Sequence, residues 1–98
     1  MVQVKELSGL SPIHADAYID YLCAEWGQIP ALAHEWADWD AHSRLAFAVD
    51  WPVCEDRLHL LHTWAAAGAL SDEQQHRLTV LEALIAAQRP TLDRLLAD

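Results

Sequence analysis

Turn-forming residues are rare in this chain, and the long stretches between them must be satisfied by one kind of local structure. Three glycines and four prolines serve 98 residues. The intervening segments are rich in Ala and Leu, 17 and 15 copies against 12 of Val, Ile and Thr combined. Ala and Leu lose little conformational freedom in a helix, whereas β-branched side chains lose χ1 freedom there. The chain therefore reads as all-α, a compact bundle of four to six short helices in a single domain spanning 1–98. An apolar fraction of 53% is too high for a disordered chain, even at a net charge of -9.

Local signals divide the domain into three parts. Residues 1–10 alternate loosely through Val2, Val4 and Leu7 and are expected to form a short extended arm. Residues 11–50 hold the acidic, Trp-rich helices. Ser11-Pro12 opens the first, with the stripe Ala15, Tyr18, Ile19, Leu22 and Trp26 at helical spacing. A short second helix is expected from Pro30 to about Trp39, with one bent helix from Pro30 to Asp50 as the alternative. Asp40 caps a third, whose inner face is expected to carry Ala41, Leu45, Ala48 and Val49, with Phe47 directed elsewhere.

Residues 51–98 read as an antiparallel helical hairpin with a kinked last helix. Asp50-Trp51-Pro52 starts its first helix, with the stripe Cys54, Leu58, Leu61, Trp64 and Ala65. Gly68 suits a left-handed cap, and Ser71 with Gln74 forms a capping box. Leu78, Leu81, Ile85, Leu92 and Leu95 supply the facing seam, interrupted by Pro90. Two seams joined by so short a loop are expected to face each other.

Charge is distributed unevenly. From Glu6 to Ser43 there are seven carboxylates and no Lys or Arg. At the centre of that span Glu35, Asp38 and Asp40 bracket Trp36 and Trp39. Tryptophan rimmed by charge is the composition of a protein–protein hot spot, and the acids would steer a cationic partner towards it. The expected function is thus a non-catalytic protein-binding module with a basic protein partner, analogous to antitoxins, immunity proteins or inhibitors. Replacing Trp36 and Trp39 together should then abolish binding and leave the fold intact. The alternative is that both rings are buried under the helical hairpin with the acids pointing out, and loss of the fold would assign them to the core. The same charge argues against direct nucleic-acid binding and against an anionic membrane surface. A net charge of -9 is also modest for mimicry of a nucleic acid.

Other chemistries find less support. Glu55, His59 and His62 share a helix face and are the low-ranking alternative for a metal or small-ligand site. Glu73 and His76 match a Glu-x-x-His spacing, but the second copy that a di-metal bundle needs is missing. No Gly-rich phosphate loop, HExxH or GxSxG occurs, so neither an enzyme nor a cofactor is expected. Arg57 falls beside an apolar stripe, where it is expected to clamp the acidic segment through Asp38, Asp40 or Asp50. A second functional class is a self-associating helical oligomer, a homodimer for example, paired through Leu92, Leu95 and Leu96 near the chain end. Cys23 and Cys54 are too few for a secreted disulfide scaffold, and the N-terminal residues carry no apolar signal core, so a cytoplasmic setting is the expectation.

Overall fold

A computed structural model describes residues 12–97. The expected extended arm and the Ser11 cap lie outside the described residues. What is described is all-helical, with no strand. A 3-10 turn over Pro12–His14 leads into α1 (Ala15–Gly27). Helix α2 (Ile29–Glu35) follows after one residue and tightens into a 3-10 turn at Trp36–Asp38. Then come α3 (Ala41–Asp50), α4 (Pro52–Ala66) and the long α5 (Asp72–Ala97).

The helix boundaries have local causes. Extended backbone at Trp39 (ψ 140°) separates α2 from α3. The Asp40 carboxylate then accepts a hydrogen bond from the Ser43 N–H at 2.7 Å, which satisfies one free donor of α3. Gly68 takes φ 71°, the left-handed conformation that ends α4. Ser71 and Gln74 close a reciprocal capping box on α5: the Ser71 N–H donates to the Gln74 side chain at 2.9 Å and the Gln74 N–H to Ser71 Oγ at 3.1 Å. Pro90 does not split α5, which continues to Ala97. Both Pro90 and Ala86, whose carbonyl loses its usual donor, are exposed, so water can satisfy that carbonyl.

The core is formed chiefly by α1, α4 and α5. From α1 come Ala15, Ile19, Leu22 and Trp26; from α4, Cys54, Leu58, Leu61 and Trp64; from α5, Leu78, Leu81, Ile85, Leu92 and Leu95. Helix α1 packs along both α4 and α5, while α2 packs on α5 and α3 on α4. The two seams expected to face each other therefore both face α1. Helices α4 and α5 run antiparallel but meet through long side chains, His62 with Glu82 at 2.8 Å and Arg89 with Glu55 at 3.1 Å. Helix α1 supplies Trp26, Ile19 and Leu22, all sealed from solvent between the two seams, and their burial favours this arrangement. Arg77 of α5 ties the outer side of α1 down, pairing with Asp16 at 3.2 Å and with Asp20. The result is a flat molecule of 49 × 29 × 18 Å, about two helices thick.

Helix α3 departs from expectation. Its stripe was expected to turn inward, yet Leu45 and Val49 are 62% and 66% exposed and no residue of α3 is fully buried. What it turns inward is Phe47, which packs edge-on to Trp36 at 5.7 Å and tilted on Trp51 at 5.4 Å. One aromatic ring set among three indoles covers more apolar surface than two aliphatic side chains would, and this decides the face.

Candidate functional site

The residues singled out by sequence lie at the α2–α3 junction. Consecutive residues on a helix point about 100° apart, so acids on either side of a tryptophan do not force it outward. Trp36 is only 6% exposed and belongs to the core. Trp39 is half-buried and stacks at a tilt on Trp36, with ring centroids 5.5 Å apart. The expected pair of exposed anchors is therefore one accessible ring, Trp39, standing on a buried one. Replacing both would remove a core residue, contrary to the expectation that the fold would survive.

Glu35, Asp38 and Asp40 are all exposed. None forms an ion pair with an arginine or histidine among the described residues. Asp40 holds its carboxyl below the usual carboxylate range because the Ser43 backbone N–H donates to it. Arg44, the nearest arginine in sequence, is turned away from these acids. Its Nε and Nη2 donate to the Trp36 carbonyl at 3.1 and 2.7 Å, and its guanidinium carbon lies 5.4 Å from the Trp36 ring centroid. Arg44 thus satisfies a carbonyl at the end of α2 and leaves the acidic face uncompensated. The Trp36 indole N–H, by contrast, is buried and finds no acceptor among the described residues. Such a donor costs about 1–3 kcal/mol.

Trp39 separates two surface grooves. One, of about 390 Å³, is walled by Trp36, Trp39, Arg44, Leu45, Leu95 and Leu96. The other, of about 200 Å³, is lined by Glu25, Gln28, Leu32, Glu35, Trp39 and Phe47. The roles of Leu45, Glu25 and Arg44 were not legible in the sequence, since they depend on which face α3 presents and on where the end of α5 lies.

The remaining expected sites are placed elsewhere. Glu55 accepts hydrogen bonds from Arg89 Nη1 and Nη2 at 3.1 Å each and from the Trp51 indole at 2.8 Å. Burial pushes its pKa up, but the Arg89 and Trp51 hydrogen bonds outweigh that and leave it lowered. Arg89 also lies over Trp26, 4.9 Å from the ring centroid. The carboxylate of Glu55 is thereby committed to a structural cluster. His62 pairs with Glu82, and His59 is exposed. No group of three His, Cys, Asp or Glu among the described residues is placed to hold a metal. Arg57 does not clamp the acids; it lies over the Tyr21 and Tyr18 rings at 4.6 and 5.3 Å, because the crossing of α1 over α4 brings those rings beneath it. Leu92 and Leu95, expected at a dimer contact, are buried, and only Leu96 of that set is exposed. Cys23 and Cys54 are both free thiols, and burial pushes the Cys54 thiol pKa up. No described helix is long and apolar enough to cross a membrane.

Comparison with protein-family models, with curated proteins and with solved structures finds no match to this chain.

Proposed function

We propose that the chain is a non-catalytic protein-binding module that docks its Glu35, Asp38, Asp40 and Trp39 face onto a basic protein. The observation that carries this reading is the absence of local counter-charge among the described residues. Three exposed carboxylates surround an accessible indole, and the arginine best placed to neutralise them is spent on a main-chain carbonyl. Charges left bare in this way accelerate encounter with an opposite surface, and a partly exposed indole offers apolar area for burial once contact is made. Trp36 serves as the rigid base for Trp39 rather than as a contact. A neutralising role, like that of an antitoxin, an immunity protein or an enzyme inhibitor, suits such a surface by analogy. Cytoplasmic residence belongs to the same reading and accords with two free thiols.

The test is affinity capture from the native host at low and high salt. A basic protein retained at low salt, released at high salt and lost with E35Q/D38N supports the reading. Capture indifferent to those substitutions removes it. Asp40 is left intact because its loss would uncap α3.

A second reading, self-association, is favoured by one observation. Leu45, Val49 and Val53 are exposed at intervals of four residues along α3 and into α4. A mass that rises with concentration and returns to the monomer in L45S would support it.

A further inference from the structure

The two grooves flanking Trp39 differ in chemistry. The larger presents aliphatic walls, Leu45, Leu95 and Leu96, on one side of the indole. Its cation, Arg44, repels a second positive charge. The smaller groove carries two carboxylates, Glu25 and Glu35, beside the rings of Trp39 and Phe47. Carboxylates with aromatic faces attract a guanidinium or ammonium both by charge and through the ring quadrupole.

From this we infer that the grooves form one composite peptide site straddling Trp39, with a Lys or Arg side chain in the smaller and an aliphatic side chain in the larger. The inference rests on the acidic-docking reading and specifies the partner's contact segment. That segment is a basic amphipathic helix with a cation and a Leu or Ile four residues apart, about 5–6 Å between Cβ atoms, a spacing that spans a single ring. The polarity is fixed by Arg44 on one side and by Glu25 and Glu35 on the other. The Trp36 ring also walls the larger groove, so its resonance reports on occupancy of that groove.

The experiment is a titration of the isotopically labelled protein with a synthetic Lys/Leu/Ala peptide of about 15 residues, long enough to hold a helix. Its control has every Leu replaced by Ser. The indole N–H resonances of Trp36 and Trp39 report on the site. The expected result is that both shift with the Leu peptide, and that affinity falls at least tenfold for E25Q/E35Q, for L45S and for the Ser control. Leu45 is exposed, so L45S tests the groove without unfolding the protein. Binding that is weakened by E35Q/D38N and by salt but insensitive to L45S and to the Leu-to-Ser exchange overturns the composite site while leaving acidic docking in place. No binding, or indole resonances that do not move, overturns it outright.

Discussion

Removing the Glu55 carboxylate tests the cluster that joins α4 to α5. In Glu55→Ala three hydrogen bonds vanish, two from Arg89 and one from the Trp51 indole. The ion pair is more than a third exposed on both sides, so screening limits it to the upper end of a surface pair, about 1 kcal/mol. Trp51 is buried, and its N–H left without an acceptor adds about 1–2 kcal/mol. The expected loss at neutral pH is then about 2–3 kcal/mol, and melting should fall by roughly 8–24 °C for a domain of this size. Glu55→Gln keeps an acceptor for the indole and forfeits only the charge, so about 1 kcal/mol is expected. The pH dependence adds a second constraint. Because the folded pKa of Glu55 is lowered, its contribution is present above the unfolded value of about 4.3 and is lost as pH falls through the folded one. Wild type and the glutamine variant should converge in acid, while the alanine variant, which lacks an acceptor for the indole at any pH, stays less stable than both. Urea unfolding followed by circular dichroism at neutral and acid pH measures all of this. An alanine variant within about 0.5 kcal/mol of wild type, or one equal to the glutamine variant, would refute the assignment of the indole hydrogen bond.

Other consequences concern α3, the cap and the thiols. Leu45→Ser should change stability by no more than about 0.5 kcal/mol, whereas Phe47→Ala should cost about 2–3 kcal/mol; the reverse order in denaturant titrations would mean that α3 presents its other face. Gly68→Ala meets open space but keeps a positive φ, so a loss of about 1 kcal/mol should appear in thermal melts. Leu61→Ala in the sealed core should cost about 2–5 kcal/mol by urea titration. Cys54 should react with a thiol reagent only after denaturant is added, since it is buried and its pKa is raised; prompt reaction of both thiols in the native protein would contradict its burial.

What could be read from sequence was whatever local chemistry decides. Asp40, Gly68 and the Ser71/Gln74 box act within a few residues of themselves, and the stripes of α1, α4 and α5 are continuous at helical spacing, so caps and core faces were visible in advance. The inward face of α3 was not. Its aliphatic stripe has the right periodicity, but Phe47 meets Trp36, Trp39 and Trp51, and that meeting exists only once the helices are placed. Arg57 was misassigned for the same reason, since its tyrosine partners come from a helix more than thirty residues earlier. The negative character of the acidic segment is legible in the sequence, but whether Trp36 points out or in is not, because acids on either side of a helical residue are compatible with both.

The position of α1 between its two partners also sets the order in which the chain can become native. A hairpin whose seams faced each other could fold from its own residues. Here α4 and α5 each present their apolar side to a helix made much earlier, and contacts such as Arg77 with Asp20 close a separation of 57 residues. During synthesis α1 can cover part of its apolar side on α4, as Trp26 does on Trp51 at the start of that helix. The rest of that side waits until most of α5 has emerged, because loop closure precedes any reward from its long-range contacts. Native structure should arrive late and in one step, and a fragment lacking α1 should have no stable fold to adopt.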